Sequence, residues 1–394
     1  MTKYLKILFL LSLGMPAQAA IPEHWMSLLK EVVEINSGTQ NVEGSEKVRA
    51  LFIKEFEKLG YIATTFDMGQ GHKVVSFDYP KSRTPKIIFS GHIDTVFTKD
   101  SPFQKLVIDG DKVFGPGIID MKGGVVLMAN VLSELNEELR RQIRIVLNDD
   151  EETGSTFSND KLKELAHGVP FGLVFEPGVS NGNVVSSLAG VHWIELIVHG
   201  RAAHAGSDHK KGLNACVALA EKIAEISKFT NYSKNLTVNI GMIGGGTKLN
   251  VVCEAASAKI DIRFVNPKDL DKLLHKIQAV VEKKNGVNSF NHEAPVAELK
   301  TIVHVPSLTD HSSKELLAIA KKAASSVGLK IEGQHMNYSG DANRLVQTGI
   351  RLLVGLGPYG EGYHTDKEFL NADSYPARLQ FNKAFVEAIL TSKN

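Results

Sequence analysis

"KIIFSGHID", residues 86–94, decides how the chain is read. Ile87, Ile88 and Phe89 form a short β-branched and aromatic run with strand composition, and the run ends in polar residues. His92 and Asp94 stand two apart at its carboxyl end, so both side chains can project to one side. The same pattern recurs downstream. "RQIRIVLND" (141–149) runs into Asp150, Glu151 and Glu152, and "FGLVFEPG" (171–178) ends on Glu176. "KVVSFDY" (73–79) is a further strand. Helical spacing fills the gaps, in "SEKVRALFIKEFEKLG" (45–60), with Ser45 as N-cap and Gly60 as stop, and in "GGVVLMANVLSELNEEL" (123–139). Strand–helix–strand alternation predicts an α/β fold, a mostly parallel sheet flanked by helices. Ligands of such sheets gather beyond the carboxyl ends of the strands, where this chain concentrates its acids and histidine.

A second pattern interrupts the first. "GVHWIELIVHG" (190–200), "LTVNIGMIGGG" (236–246), "CEAASAKIDIRFV" (253–265) and "EAPVAELKTIVHV" (293–305) read as strands. The runs 214–229 and 267–286 read as helices. The order β-α-β-β-α-β fits a ferredoxin-like α+β sandwich inserted into the α/β domain. The α/β pattern resumes with a helix at 312–328, a strand in "RLLVGLG" (351–357) and a closing helix from Ser374. The expected division is residues 20–188, an insert at 189–304, and a return at 305–394.

Bulk properties narrow the function. The chain has 394 residues, enough for two domains, with 43% hydrophobic and 23% charged residues. A net charge of +1 gives no electrostatic case for nucleic acid or an acidic membrane surface. Residues 1–19 carry Lys3 and Lys6, an apolar run from Leu5 to Leu13, and Ala17-Gln18-Ala19. That is the plan of a secretory signal peptide, the alternative being a buried N-terminal helix. A periplasmic or secreted protein is expected. The two cysteines, Cys216 and Cys253, could pair or remain as two buried thiols.

Several short stretches could carry chemistry. His92 could ligate a metal while a carboxylate such as Asp94 orients its ring, or be an ordinary buried histidine. In "GPGIIDMKGG" (115–124), Asp120 is either a turn residue before a helix or a carboxylate offered to a cation. The run Asp149–Glu152 is either a solvated acidic loop or a place where one acid binds metal and its neighbour takes a proton from water. If Glu151 and Glu152 share a site, the backbone must leave the strand there, and "TGS" allows the turn. Glu176, and His364 in "EGYHTDKEF" (361–369), complete a set of two histidines and several carboxylates converging on one sheet edge. Imidazole and oxygen ligands without thiolate suit Zn, Mn or Co, and their number points to two ions.

"SGHIDTV", "GPGIIDMKGG", "NDDEETGS", "FEPG", "AAHAG" and "YHTDKE" occur in the order seen in the metallopeptidase family of glutamate carboxypeptidase, aminoacylase, succinyl-diaminopimelate desuccinylase and peptidase T. The chain resembles that family over essentially its whole mature length, and glutamate carboxypeptidase most. The resemblance implies one zinc on His92, Asp120 and Glu176, and a second on Asp120, Glu152 and His364, with Asp120 bridging. It implies Glu151 as general base and later acid, Asp94 as the residue orienting His92, and a cis peptide at Asp120–Met121. His204 matches the family's oxyanion-stabilising histidine, which reaches the partner's active site and so implies a homodimer. Asn250, Arg263, Gly340 and Ser186 match substrate-binding positions. Two departures stand out. Val184 lies nearest to where the glutamate-releasing enzyme has a pocket lysine, and Cys253 replaces a proline. The implied function is a carboxypeptidase acting on a peptide or N-acyl amino acid, glutamate being one candidate leaving residue. The alternatives are an N-acyl-amino-acid amidohydrolase or dipeptidase, and a silent binding protein on the same scaffold.

Overall fold

The structure, a computed structural model, describes residues 21–80 and 84–391; the proposed signal segment lies outside them. The chain forms two units, one running through Val184 with Glu315–Glu332 and Leu352 onward, the other comprising Val185–Lys314 and Gly333–Arg351.

The first unit opens with helices α1 (Glu23–Glu34) and α2 (Val42–Lys58). The N-cap of helix α2 lies four residues before the expected Ser45, at Asn41. Asn41 caps it by accepting the Gly44 N–H, and Ser45 is buried inside the first turn. Gly60 ends it in a left-handed conformation at φ +93. Strands β1 (Ile62–Gly69) and β2 (His72–Asp78) form an antiparallel hairpin. After them come β3 (Ile87–His92), the short β4 (Val107–Asp109) and β5 (Lys112–Phe114), helix α3 (Gly123–Ser133), β6 (Ile143–Asn148), helix α4 (Asn159–Ala166) and β7 (Phe171–Val174). The six-stranded sheet runs β1-β2-β6-β3-β7-β14, where β14 is Arg351–Leu353. Strand β3 pairs in parallel with β6 and β7, and β2 joins β6 antiparallel. β3 is buried along its whole length, which is why it opens on the apolar run Ile87–Phe89. Helix α3 is equally apolar because all of Gly123–Leu132 is buried.

The second unit contains β8 (Val184–Leu188), β9 (Gly190–His199), helix α5 (Ala215–Ile226), β10 (Thr237–Gly245), β11 (Ala255–Phe264), helix α6 (Pro267–Glu282) and β12 (Val296–Val305). Its sheet order β10-β11-β9-β12, antiparallel throughout, is the ferredoxin-like arrangement. The inner faces of β9 and β11 are buried with α5 and α6 around Leu196, Ile260, Leu219 and Ile277. Cys216 and Cys253 are joined in a disulfide, Cα–Cα 5.7 Å, tying α5 to the segment before β11.

Helix α7 (Asp310–Ser326) leads back to the first unit. The chain then returns to the second unit for β13 (Gly333–Met336), which pairs with β8, and for the short helix at Asp341–Leu345. After β14, strands β15 (Gly360–Glu361) and β16 (Phe369–Asn371) join β5 and β4 in a small antiparallel sheet, and α8 (Ser374–Thr391) closes the chain. No helix among the described residues is long and apolar enough to cross a membrane.

Candidate metal centre

All seven of the residues expected around two ions lie in the first unit. His92 ends β3 and is buried; its Nδ1 contacts the Asp94 carbonyl at 3.2 Å and the Asp94 carboxylate at 3.3 Å. That contact aims Nε2 outward. Nε2 lies 3.3 Å from Asp120 Oδ1 and 3.6 Å from Glu176 Oε1. On the other side of Asp120, His364 Nε2 lies 3.2 Å from Oδ2 and 3.1 Å from Glu152 Oε2. Asp120 thus turns one oxygen to each of two clusters, His92–Asp120–Glu176 and Asp120–Glu152–His364. Two donors each about 2.05 Å from one tetrahedral ion sit about 3.3 Å apart, so the observed spacings fit a divalent ion in each cluster.

Local backbone explains the convergence. Gly117, at φ +68, and the cis Asp120–Met121 peptide lie on either side of the turn that delivers Asp120. Beyond β6 the chain leaves the strand as required. Glu151–Thr153 form one 3₁₀ turn, closed by Gly154 at φ +85. Asp94 organises that turn, accepting the Glu151 N–H on Oδ1 and the Glu152 N–H on Oδ2, both at 3.2 Å. Thr39 completes Asp94 with a 2.7 Å hydrogen bond to Oδ2. The sequence reading overlooked Thr39; nothing in "NSGTQN" distinguishes it from any loop threonine. Asp150 accepts the Phe157 and Ser158 N–H groups and caps the following segment. Asp149 does not fit the solvated-loop reading of the run: it is 2% exposed. It pairs with buried Arg49 and accepts the Lys73 N–H at 3.0 Å, pinning α2 and β2 behind the acidic turn.

The charges interact strongly. Burial works against a charged His92, but Glu176, Asp120 and Asp94 more than offset it and hold its pKa well above the usual histidine value. Hydrogen bonds to Asp120 and Glu152 push His364 up to about 10. Burial resists ionisation of Asp120, yet the two histidines keep its carboxyl below the ordinary range. Burial, together with Asp120 and Asp94, raises Glu152. Lys122, wholly buried, donates to the Ile35 carbonyl at 2.9 Å, and burial pulls it down to about 7.

The other five expected residues belong to the second unit. His204 is exposed, and its Nδ1 accepts the Gly206 and Ser207 N–H groups at 3.1 Å each, which leaves Nε2 as the donor. Asn250 is exposed, its carbonyl accepting the Ala205 N–H. Arg263 forms a two-pronged pair with Asp261 at 2.9 and 3.0 Å. Ser186 is buried and donates to Asp310 at 2.8 Å, and the Gly340 N–H donates to Asn343.

An α/β unit that presents two carboxylate-bridged imidazole clusters at its strand ends, with a ferredoxin-like insert, has the architecture of a dinuclear metallohydrolase. The chain belongs to peptidase family M20/M25/M40, whose model matches residues 88–388. It is 28% identical to carboxypeptidase G2 of Pseudomonas sp. (strain RS-16) over 372 residues, covering 89% of this chain and 86% of that one. It is 27% identical over 285 residues to succinyl-diaminopimelate desuccinylase of Orientia tsutsugamushi (strain Boryong), covering 66% and 71%. Among solved structures it superposes on aminopeptidase PepT of Bacillus cereus ATCC 10987 with TM-score 0.78 at 21% identity, covering 94% and 100%. It also matches the dinuclear metal binding peptidase YXEP of Bacillus subtilis with TM-score 0.67 at 16% identity, covering 94% and 98%. The chain is a hydrolase of this metallopeptidase and amidohydrolase family.

Proposed function

We propose that the chain is an exported dizinc exopeptidase that hydrolyses the amide bond before a C-terminal amino acid, with glutamate as the candidate leaving residue. The observation that carries this reading is the pair of clusters sharing Asp120, with Glu151 beside the ligand Glu152. Two zinc ions held by His92, Asp120, Glu176, Glu152 and His364 would acidify a water and polarise the scissile carbonyl; Co or Mn could substitute. Glu151 takes the proton of the attacking water and returns it to the leaving amine. Asp94 keeps His92 oriented and, through two backbone hydrogen bonds, fixes the turn that carries Glu151. His204 supplies Nε2–H to the oxyanion, a role its backbone-bound Nδ1 suits. Asn250, Arg263, Gly340 and Ser186 are proposed to contact substrate, with Arg263 exchanging Asp261 for the substrate α-carboxylate.

The likeness to carboxypeptidase G2 supports C-terminal cleavage. Likenesses to desuccinylase and to acetylornithine deacetylase of Proteus mirabilis support the second reading, an N-acyl-amino-acid amidohydrolase. Hydrolysis rates for N-acyl-glutamate against other N-acyl amino acids, with and without chelator, separate the readings. Equal rates across side chains sink the glutamate assignment, and full activity in excess chelator sinks the metal mechanism. Export is supported by the Cys216–Cys253 disulfide, which persists in oxidising compartments. N-terminal sequencing of the mature protein should begin near Ala20; an intact Met1 in the native host removes the export proposal. We also propose a homodimer formed through the insert, supported by the position of β10 at the edge of its sheet and by its exposed Met242 and Ile243.

A further inference from the structure

The segment that carries His364 carries a second acid. Glu368 lies four residues on, just before β16, and is 1% exposed. The reaction described above gives it no task. Its carboxylate nevertheless accepts three hydrogen bonds, all from backbone amides of the loop that delivers Asp120. The Gly117 N–H donates to Oε2 at 3.0 Å, and the Ile119 and Asp120 N–H groups donate to Oε1 at 2.8 and 3.2 Å. The Ile118 N–H goes to the Gly115 carbonyl at 3.2 Å, so Glu368 takes every other amide of residues 117–120. Pairing of Phe369 with Phe114, and the Gly115 N–H donated to the Glu368 carbonyl at 3.3 Å, hold the acid against the loop.

A buried carboxylate is a costly acceptor, above all beside another acid, Asp120. A neutral amide would be cheaper to bury but could not do the same work. It offers one acceptor oxygen, and its NH₂ would face the Gly117 N–H, donor against donor. The loop needs an acceptor with two oxygens and no proton. We propose that Glu368 is a positioning residue for the bridging ligand, holding the 117–120 backbone so that Asp120 turns one oxygen to each cluster. The inference rests on the dinuclear reading of the site. One five-residue segment then supplies a ligand, His364, and the anchor of the ligand that both ions share. Loss of a partner of this kind behind a metal ligand typically costs about 10- to 100-fold in metal affinity.

The test strips the full chain of metal and titrates zinc against a chromophoric chelator for wild type, Glu368→Gln and Phe56→Leu. Phe56 is buried in the core, so its truncation reports general loosening. Thermal midpoints of the stripped proteins are read in parallel. Wild type should bind two ions. Glu368→Gln should weaken both by about 10- to 100-fold, whereas Phe56→Leu should lower the midpoint and leave zinc affinity unchanged. Wild-type affinity in folded Glu368→Gln overturns the proposal, as does an equal loss in Phe56→Leu. A wild type that takes up no zinc overturns the dinuclear reading and this proposal with it. If Glu368→Gln does not fold, Glu368→Asp, which draws both oxygens back by one methylene, carries the same outcomes.

Discussion

Asp149 and Glu151 stand two positions apart in one acidic run, and their environments give them opposite tasks. Asp149 is buried against Arg49 and ties α2 to the sheet. Glu151 sits on the turn beyond β6, its backbone held by Asp94. Glu151→Gln should lower kcat by about 10²- to 10⁴-fold with zinc content unchanged, as expected when a proton-transfer group is lost. Asp149→Asn should instead cost about 3–5 kcal/mol in urea unfolding, because it leaves Arg49 short of its buried partner. Swapped phenotypes would reverse our assignment of the run. His364 gives a pH prediction. Its folded value of about 10 lies above the roughly 6.5 of an unfolded histidine. In the metal-free chain its carboxylate contacts therefore stabilise fully below about pH 6.5, and that contribution fades as pH rises toward 10. Zinc needs the neutral ring, so zinc uptake at pH 7 should release protons, and apparent affinity should rise with pH. Calorimetry in buffers of different ionisation enthalpy measures the release; none detected contradicts the assignment.

Strands whose ends carry chemistry were legible because burial on both faces makes β3, β6 and β7 mostly apolar up to their polar ends. Strand β1 was not. Ile62–Gly69 is Thr-rich, and Ile62 is 57% exposed, since the strand edges the sheet and most of its side chains meet water. The N-terminus of α2 was misplaced because Ser45 and Asn41 are both good caps, and only the path of the preceding loop selects Asn41. Helix α3 shows how an element sets the site. A Cβ on Gly124 would lie 2.0 Å from the Phe175 carbonyl oxygen, immediately before Glu176. Gly→Ala inside a helix normally stabilises by about 1 kcal/mol. Here Gly124→Ala should destabilise by about 1–3 kcal/mol and weaken the cluster containing Glu176. A stability gain on thermal unfolding would show that the helix and strand separate freely.

The molecule divides less simply than the sequence pattern. A single insert at 189–304 was expected. The second unit also takes 305–314 and 333–351, because β13 pairs with β8 and the Asp341–Leu345 helix bonds through Asn343 to Ala189 and Pro306. Such pairing depends on distant partners that periodicity cannot name. The proposed dimer belongs to this scale. Ile243→Lys on the β10 edge should yield a monomer by sedimentation with the fold intact, and a wild type that sediments as a monomer removes the proposal. By itself the sequence determined the α/β class and the ferredoxin-like insert, because strand periodicity is local, and it offered the histidines and carboxylates as candidates for the site. Only the tertiary structure decided that Asp120 faces two clusters, that Asp149 is buried while Glu151 is presented, and that Glu368 holds the bridging loop. Those outcomes depend on which backbone amides and charges meet across separations that run from 28 residues for His92 and Asp120 to 251 for Gly117 and Glu368, and chain spacing does not encode such meetings.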